Sequence, residues 1–205
     1  MLQNKGRPAL FLDRDGLLND LVFYPASGEW ESPRTPADLR IVAGAGPVLR
    51  QLLEAGWPLF LVSNQPSFAK GKTSLEHLHA VRQAFEEAFL REGVAFTESF
   101  YCFHHPEGVA AGYSGPCRCR KPSPFFLLQA AQEHGLDLAT SWMVGDQDMD
   151  VLCARNAGCG SVLIPCAASA SKCGGQKPSL EIPALSDLPH ALAPFSPRRS
   201  VQEFP

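Results

Sequence analysis

The chain has 205 residues, a formal net charge of −3 and a hydrophobic content of 45%. This length suits one domain with a substantial core and leaves little room for a second full domain. No apolar run approaches the length needed to span a bilayer, and the acidic balance argues against a long nucleic-acid footprint, which requires a basic face. The apolar run that follows the polar, basic N-terminus is too short for a signal-peptide core. We therefore expect a cytoplasmic protein that binds neither a membrane nor nucleic acid.

The first predicted strand, Ala9 to Leu12, ends in two acids, Asp13 and Asp15. Short apolar runs bounded by turn residues are typical of buried strands, and the carboxyl ends of parallel strands face the ligand crevice of an α/β sheet. Two acids this close need a neutralising cation, and Mg²⁺ prefers oxygen ligands. One carboxylate could then attack phosphorus while the other transfers protons. The alternative is a solvated turn, since Asp and Gly are common turn residues.

The segment from Asp20 to Arg40 contains aromatic residues but no clear periodicity, so it is predicted to be a long loop. Long loops in compact domains tend to be functional, and this one could form one wall of a substrate pocket. A plain solvent loop is an equal alternative. After it, a helix is predicted from Gly46 to Gly56, because apolar residues recur there at helical spacing and a glycine closes the pattern.

A second buried strand is predicted at Leu59 to Val62, and three polar residues follow it, Ser63, Asn64 and Gln65. A hydroxyl at the end of a strand can donate to a phosphoryl oxygen together with backbone N–H groups. By itself this signal is weak, because Ser and Asn are common in strand-to-helix turns. The next helix is predicted to open with a capping box that begins at Thr73.

The most unusual segment follows a third predicted strand at residues 96–101, and it contains Cys102, His104, Cys117 and Cys119. Two close pairs of soft ligands joined by a loop make a Cys₃His set, which suits tetrahedral structural Zn²⁺. Each pair is spaced more tightly than in common zinc fingers. His105 could replace His104, and reduced thiols or a Cys117–Cys119 pairing remain as alternatives to a metal site.

Two cations, Arg120 and Lys121, come directly after this segment. Ser123 is predicted to cap the next helix with Pro124 at its first position, and the residues of 125–128 are expected to point inward. If the metal loop is rigid, the two cations project from a fixed base. Such a pair suits phosphate binding, because Arg donates forked hydrogen bonds and Lys supplies a point charge. A solvated basic turn is the alternative.

A fourth predicted strand, residues 141–144, again delivers an acid, Asp146, at its carboxyl end. The remaining predicted elements are a helix up to Gly158, a strand at 161–164, a loop at 165–175, a short helix at 186–192 and a flexible tail at 193–205. Strands that alternate with helices predict one α/β domain over residues 1–192, with a mostly parallel sheet and helices on both faces. On such a sheet Asp13, Ser63, Lys121 and Asp146 approach the same edge.

Taken in order, these motifs resemble those of the haloacid dehalogenase-like (HAD) phosphatases. The resemblance extends from about Pro8 to Ile164, and it is strongest to the D-glycero-D-manno-heptose 1,7-bisphosphate phosphatases and their relatives, the histidinol-phosphate phosphatases. The stretches that carry it are Phe11-Leu12-Asp13-Arg14-Asp15-Gly16, Ser63-Asn64-Gln65, Cys102-x-His104-His105-Pro106, Cys117-x-Cys119-Arg120-Lys121-Pro122 and Gly145-Asp146-x-x-x-Asp150.

The resemblance implies a Rossmann-like HAD fold that has no large cap domain and carries a small zinc-binding loop at 102–119. It implies that Asp13 is the nucleophile that forms a phospho-aspartate, that Asp15 is the general acid/base, and that Lys121 balances the charge of the phosphoryl group. Catalytic Mg²⁺ would be held by Asp13, by the backbone carbonyl of Asp15 and by Asp146.

It also implies a set of binding residues. Substrate would be bound by Ser63, Asn64, Gln65 and Arg120, with Arg120 on the remote part of a sugar phosphate. Structural Zn²⁺ would be held by Cys102, His104, Cys117 and Cys119. Gln147 and the long 20–40 segment depart from the family pattern, which leaves the leaving group open.

The expected function is therefore a Mg²⁺-dependent phosphomonoesterase, in the first place a heptose 1,7-bisphosphate 7-phosphatase in the biosynthesis of nucleotide-activated heptose, a precursor of lipopolysaccharide or S-layer glycans. We expect a monomer whose partner is a small sugar phosphate. Histidinol phosphate, or another small phosphomonoester, is the alternative substrate. A zinc-stabilised binding module without catalysis is the alternative from another class.

Overall fold

The computed structural model describes residues 6–197. Its strands are β1 (Leu10–Leu12), β2 (Val22–Tyr24), β3 (Glu29–Glu31), β4 (Leu59–Asn64), β5 (Glu98–Cys102), β6 (Trp142–Gly145), β7 (Gly160–Leu163) and β8 (Leu180–Glu181). Its α-helices are α1 (Ala45–Glu54), α2 (Leu75–Arg91), α3 (Phe125–His134), α4 (Asp148–Ala157) and α5 (Leu188–Leu192). Short 3₁₀ helices lie at Pro36–Asp38, Leu138–Thr140, Ala167–Lys172, Leu185–Asp187 and Ala193–Phe195. None of the helices described is long and apolar enough to cross a membrane.

Six strands form one parallel sheet in the order β5-β4-β1-β6-β7-β8. The first strand lies in the middle, with β4 on one side and β6 on the other, so the chain reverses the direction of sheet growth next to β1. Ligands of open α/β sheets bind outside the carboxyl ends of the strands at such a switch point. The predicted parallel sheet is confirmed, and β8 adds a short strand that the sequence did not indicate.

The central strand divides its side chains between two cores. Leu10 and Leu12 belong to the cluster formed with α1, α2 and α5, whereas Phe11 belongs to the cluster formed with α3 and α4. All three side chains are fully buried. Successive residues of a strand point to opposite faces, so a continuous apolar run is what a sheet covered on both faces requires. Helices on both faces, as predicted, are therefore confirmed.

The segment at 20–40 differs from the prediction. Its β2 and β3 form an antiparallel hairpin in which Phe23 lies opposite Trp30, and a 3₁₀ helix follows at Pro36–Asp38. The prediction of an irregular loop is wrong here, because strands of three residues are too short to show a period of two in the sequence. The hairpin is instead fixed by contacts with the rest of the fold, described below.

Three helix details also differ. Ser74, rather than Thr73, caps α2, because its Oγ accepts the His77 N–H at 3.1 Å. Pro124 is the cap residue of α3, so that helix begins one residue later than expected, and Leu128 is 49% exposed rather than inward. Most of the predicted loop at 165–175 is the 3₁₀ helix Ala167–Lys172.

The predicted tail at 193–205 lies mostly outside the described residues. Its first residues, Ala193–Phe195, form a 3₁₀ helix. The Phe195 ring packs against Trp142, with 4.7 Å between the ring centroids.

Candidate active site

Two buried acids extend the central strand at the switch point. The Asp13 N–H donates to the Val144 carbonyl at 2.9 Å, so the ladder between β1 and β6 continues to Asp13 and fixes its backbone. Asp13 and Asp15 are each only 6% exposed. The Asp13 carboxylate accepts the Arg14 N–H through Oδ1 at 2.7 Å. The sequence pattern thus places both acids at the carboxyl edge of the sheet, as expected.

A buried ammonium group lies between two carboxylates at this edge. Nζ of Lys121 is 2.7 Å from Oδ1 of Asp13 and 2.7 Å from Oδ1 of Asp150. Burial raises the pKa of Asp13 well above its usual value, and Lys121 opposes this. Burial would lower the pKa of Lys121, but Asp13 and Asp150 outweigh it and raise this pKa. The lysine therefore remains charged beside the acid.

Asp150 is held by its own helix as well. Its Oδ2 accepts the Gln147 N–H at 3.1 Å, which caps the first turn of α4. An acid in the first turn of a helix is stabilised by the exposed N–H groups and the helix dipole. Gly145 is required just before this turn, because a methyl group there would overlap with the Asp150 side chain. Asp150 thus fixes the position of Lys121.

Asp146 completes a group of acids that is suited to a divalent cation. One carboxylate oxygen of each of Asp13, Asp146 and Asp150 lies within 4.8 Å of the others. Asp146 is fully buried, yet neither of its side-chain oxygens has a hydrogen-bond partner in the described part of the chain. Burial and the neighbouring Asp150 raise the pKa of Asp146 to about 7.

A buried carboxylate without partners is costly unless a cation neutralises it. The donors at this position are all carboxylate oxygens, which suit Mg²⁺. Gly16 packs against the Asp146 carboxylate so closely that a β-carbon there would overlap with it. Its φ of 87° also favours glycine. The residues present therefore fit a magnesium site, with Gly16 leaving space for Asp146.

The second acid, Asp15, is enclosed by hydrogen-bond donors. Its Oδ1 accepts from Nε and Nη2 of Arg14 at 3.1 and 2.9 Å and from Nδ2 of Asn19 at 3.0 Å. Its Oδ2 accepts from Oγ of Ser32 at 2.9 Å and from Nε2 of Gln65. These donors come from three segments, namely the turn after β1, the residue after β3 and the residue after β4, so the orientation of the Asp15 carboxylate is set by the tertiary structure.

The three polar residues at the carboxyl end of β4 have different environments. Ser63 and Gln65 are each 1% exposed, and Oγ of Ser63 accepts from Nε2 of Gln65 at 2.8 Å. Oε1 of Gln65 accepts from Arg14 at 2.7 Å. Since the Gln65 amide is engaged by Arg14, Ser63 and Asp15, this side chain lies behind the acid and not in the cavity wall, where a substrate contact was expected.

Asn64 also differs from the expectation in its side chain. Its Oδ1 accepts the Lys121 N–H at 3.0 Å, and its Nδ2 donates to the Lys121 carbonyl at 3.2 Å. This reciprocal pair fixes the backbone of Lys121 beside β4. Asn64 lines the cavity described next, but its amide group holds the lysine.

A cavity of about 450 Å³ opens above these groups. Its floor includes Asp13, Asp15, Lys121 and Asp150, and its sides come from the hairpin, the turn after β4, the residue Arg120 and the 3₁₀ helix Ala167–Lys172. Such a volume suits a small ligand such as a sugar phosphate. The 20–40 segment does form one wall, through Glu29, Trp30, Glu31 and Ser32.

The hairpin wall is attached to the body of the protein by charged groups. Nζ of Lys72 pairs with both Glu29 and Glu31, and Nη2 of Arg34 lies 2.8 Å from Oε2 of Glu31. The Arg34 guanidinium lies over the Tyr24 ring at 3.8 Å. Burial disfavours the charged form of Glu31, but Lys72 and Arg34 outweigh it and lower its pKa to about 2.

The four predicted zinc ligands lie together beside this cavity. The sulfur atoms of Cys102, Cys117 and Cys119 are 3.3 to 3.8 Å apart, and Nδ1 of His104 lies 3.8 Å from Cys102 and 3.6 Å from Cys119. Around tetrahedral Zn²⁺, with Zn–S bonds of about 2.3 Å, sulfur ligands lie about 3.8 Å apart. The donor set and its spacing therefore fit a structural zinc ion.

Two of the alternatives for this cluster do not fit. All seven cysteines are free thiols, so the Cys117–Cys119 pairing is wrong. His105 lies outside the cluster, and its Nδ1 accepts the Glu107 N–H at 3.1 Å. Burial and the hydrogen bond from Cys119 raise the pKa of Cys102. A thiolate is unfavourable there without a cation, and zinc would supply that charge.

Arg120 connects the metal loop to the cavity. It lines the cavity, and its Nη1 donates to the His104 carbonyl at 3.2 Å. The Ser123 hydroxyl donates to the Arg118 carbonyl, which closes the turn between the cluster and α3. The loop thus holds Arg120 and Lys121 from the same side.

Several residues of the site were not assigned a role from the sequence. Asp150 was part of a recognised motif, and an acid in the first turn of a predicted helix is the signal that could have identified it. Arg14 stands between two acids at the end of a buried strand, where a buried counter-ion is needed. Nothing in the sequence indicated Lys72, because its partners Glu29 and Glu31 lie some forty residues earlier.

Comparison with known proteins gives consistent matches. A HAD-hydrolase-like family model matches residues 118–185. The D-glycero-D-manno-heptose-1,7-bisphosphate 7-phosphatase of Thermosynechococcus vestitus is 40% identical over 162 residues, which cover 77% of this chain and 79% of that protein. The D-glycero-β-D-manno-heptose-1,7-bisphosphate 7-phosphatase of Yersinia pestis is 34% identical over 187 residues, which cover 90% of this chain and 95% of that protein.

A solved structure extends the match to the fold. The crystal structure of D,D-heptose 1,7-bisphosphate phosphatase from B. bronchiseptica, complexed with magnesium and phosphate, aligns with a TM-score of 0.74 at 25% sequence identity. The alignment covers 91% of this chain and 98% of that chain. The similarity thus extends over most of the fold.

Proposed function

Since the chain belongs to the HAD phosphatases, in the family of the heptose-1,7-bisphosphate 7-phosphatases, we propose that it removes the 7-phosphate of D-glycero-D-manno-heptose 1,7-bisphosphate. The product would serve the synthesis of nucleotide-activated heptose. The observation that carries this proposal is the fully buried, partnerless carboxylate of Asp146 beside the Asp13–Lys121 ion pair. A cation and a phosphoryl group are the ligands that such an arrangement lacks.

In the proposed reaction the Asp13 carboxylate attacks the phosphorus atom and becomes a phospho-aspartate. Its Oδ1 is held by the Arg14 N–H and the Lys121 ammonium, so the carboxylate has one orientation before substrate arrives. A fixed geometry lowers the entropic part of the barrier. The Lys121 charge stabilises the negative charge on the phosphoryl oxygens.

Asp15 acts as the acid and then as the base. In the first step it gives a proton to the oxygen of the leaving sugar, and in the second it takes a proton from the water that hydrolyses the phospho-aspartate. Arg14, Asn19, Gln65 and Ser32 hold the carboxylate in one orientation for both steps. Gln65 is thus a positioning residue and not a substrate ligand.

Mg²⁺ would be held by Asp13, by Asp146 and by the backbone carbonyl of Asp15. This agrees with the side-chain oxygens of Asp146, which have no hydrogen-bond partner among the described residues. When bound, the ion supplies positive charge that neutralises the phosphoryl oxygens and the surrounding acids. The hydroxyl of Ser63, together with backbone N–H groups, would bind the transferring group from the opposite side. Cys102, His104, Cys117 and Cys119 would hold structural Zn²⁺ and keep Arg120 in the cavity wall.

The test is phosphate release from a panel of sugar phosphates and histidinol phosphate, with and without Mg²⁺. We expect kcat/KM to be highest on the heptose bisphosphate and turnover to depend on Mg²⁺. Asp13→Asn, a nearly isosteric change, should reduce turnover by about 10³-fold or more while the protein remains folded. Retained activity in this variant contradicts the nucleophile assignment, and a preference for histidinol phosphate contradicts the proposed substrate.

A non-catalytic binding module is distinguished by the same assay, because it releases no phosphate from any substrate. We also propose a monomeric, cytoplasmic enzyme. Light scattering coupled to size-exclusion chromatography tests the first point, and a second subunit in solution contradicts it.

A further inference from the structure

The hairpin that forms one wall of the cavity carries two aromatic rings in contact. Phe23 of β2 lies directly opposite Trp30 of β3, and the two ring centroids are 5.5 Å apart. Residues that lie directly opposite each other in a strand pair have their side chains on the same face of the sheet. We call this pair the Trp30 platform. Its two rings form one apolar surface on a single face of the hairpin.

Trp30 is exposed although the hairpin itself is attached to the body of the protein. It lines the cavity and is 47% exposed, and Phe23 is 46% exposed. Within residues 6–197, Trp30 is the one aromatic residue that lines the cavity. An aromatic side chain of this size contributes a large apolar area when a ligand covers it. The cavity thus has a single aromatic surface, on a wall whose other side chains are polar.

The glutamates on either side of Trp30 fix the direction of its side chain. Glu29 and Glu31 both pair with Nζ of Lys72, and Glu31 also pairs with Arg34, with 2.8 Å between Oε2 and Nη2. Successive side chains of a strand point to opposite faces. Trp30 therefore points away from the face on which Lys72 lies, and β3 is held through the glutamates and not through the indole. The part of the indole that Phe23 does not cover is thus available to a ligand.

The same strand leads from Trp30 to the proposed acid. β3 ends at Glu31, and Oγ of the next residue, Ser32, donates to Oδ2 of Asp15 at 2.9 Å. Two residues of extended chain span at most about 7 Å, so the backbone of Trp30 is close to a residue that contacts Asp15. In the proposed reaction Asp15 gives its proton to the oxygen of the leaving group. The group attached to that oxygen therefore lies beside the Trp30 platform.

The leaving group is the part of the substrate that the Trp30 platform can contact. With the phosphorus atom beside Asp13 and the phosphoryl charge beside Lys121, the leaving sugar extends into the remainder of the cavity, whose volume is about 450 Å³. A pyranose ring has faces of C–H groups and edges of hydroxyl groups. Its C–H face suits the indole, and its hydroxyl groups suit the polar side chains of the cavity.

We infer that Trp30 is a specificity-determining residue that packs against the ring of the leaving sugar, with Phe23 as the positioning residue that keeps the indole in place. This inference rests on the proposed function, because it places a sugar phosphate with its phosphorus atom at Asp13. An acyclic polyol has no preformed face and loses rotational freedom when it makes the same contact. The Trp30 platform therefore selects phosphate esters of cyclic sugars over those of acyclic polyols.

The first experiment measures the preference for the heptose bisphosphate over glycerol 3-phosphate, as a ratio of kcat/KM values. We expect Trp30→Ala to reduce this preference about tenfold and Phe23→Ala to reduce it about threefold, whereas Trp30→Phe should retain most of it. Leu90→Ala truncates an apolar side chain that is also exposed but lies outside the cavity, and it should leave the preference unchanged. Equal losses on both substrates in Trp30→Ala, or no loss on either, overturn the inference.

Tryptophan fluorescence separates this inference from the proposed function. The chain has three tryptophans, and Trp57 and Trp142 are buried, so a ligand in the cavity reports through Trp30. In the Asp13→Asn variant we expect the heptose bisphosphate to shift the emission to shorter wavelength, and inorganic phosphate, which has no leaving group, to leave it unchanged.

The same titration in Asp13→Asn with Trp30→Phe should show no shift. If the wild-type chain releases no phosphate from any sugar phosphate, the proposed function fails, and this titration alone then judges the role of Trp30. An equal shift with inorganic phosphate, or no shift while calorimetry shows that the bisphosphate binds, overturns the inference.

Discussion

Nζ of Lys121 lies 2.7 Å from Oδ1 of Asp13, and both side chains are almost completely buried. The lysine reaches this position from a loop more than a hundred residues later in the chain. It is held there by Asp150 on one side and by the Asn64 amide at its backbone. The pair combines a nucleophile with the charge that stabilises its product, so it is the part of the site most sensitive to substitution.

Replacing this lysine should affect both turnover and stability. Lys121→Met leaves two buried carboxylates without their cation, and we expect it to destabilise the magnesium-free protein by about 3 kcal/mol. Loss of the charge should lower kcat about 10²- to 10³-fold. Chemical unfolding without Mg²⁺ and phosphate release with it measure the two effects. Lys177→Met, at an exposed position, serves as the control, and an equal change in both variants contradicts the assignment.

Gly16 is expected to govern metal affinity. In Gly16→Ala the added methyl group overlaps with the Asp146 carboxylate, and the φ of 87° is unfavourable for alanine. We expect the Mg²⁺ concentration for half-maximal activity to rise about tenfold. Gly44→Ala is the matched control, because its φ of 81° imposes the same strain while no atom lies near the added carbon. Both variants should lose about 1–2 kcal/mol of stability from backbone strain.

If the Mg²⁺ concentration for half-maximal activity rises equally in Gly16→Ala and Gly44→Ala, the cause is a general loss of stability. The proposed role of Gly16 requires that this concentration rise only in Gly16→Ala.

Zinc removal should act on the cavity wall more than on the core. Cys117→Ser deletes one of the four ligands beside Arg120, and we expect lower zinc content, faster hydrogen exchange at residues 118–123 and a KM about tenfold higher. The two core clusters do not include this loop, apart from the strand that precedes it. Cys166→Ser, at a cysteine outside the metal cluster, is the control. Unchanged kinetics after loss of zinc contradict this prediction.

The ion pairs of the hairpin should give an acid-dependent contribution to stability. The pKa of Glu31 is lowered from its usual value to about 2 in the folded protein, so folding is favoured by its ionised form. This contribution is present above about pH 4.5 and is lost as the pH falls toward 2. For a partly solvated pair it should be below about 1 kcal/mol.

Glu31→Gln provides the measurement for this contribution. The difference in unfolding free energy between the wild type and Glu31→Gln should be largest near pH 6 and should decrease toward pH 3. Glu181→Gln, at an exposed carboxylate that makes no ion pair within the described chain, should show no such trend. A constant difference across this range means that Lys72 and Arg34 do not stabilise the hairpin through Glu31.

The amino-acid pattern alone was enough to predict the sheet and the acids at its edge. Leu10 to Leu12 form a continuous apolar run, which only a strand covered on both faces can bury, and Asp13 follows where that burial ends. The same local pattern gave Asp146 after β6. The Cys₃His cluster was also predictable, because a metal site needs particular side chains at short spacing and few other structures require such a pattern. Its members are Cys102, His104, Cys117 and Cys119.

The partners that hold these groups, by contrast, could be seen only in the folded protein. Asp15 takes its donors from residues 14, 19, 32 and 65, and Lys121 takes its partners from residues 13, 64 and 150. Likewise, the acids of the hairpin take their partners from Lys72 and Arg34. Local sequence encodes periodicity and turn chemistry, whereas hydrogen bonds and ion pairs depend on distances that exist only once the chain is folded. This is why Gln65 was expected in the cavity and is found behind Asp15.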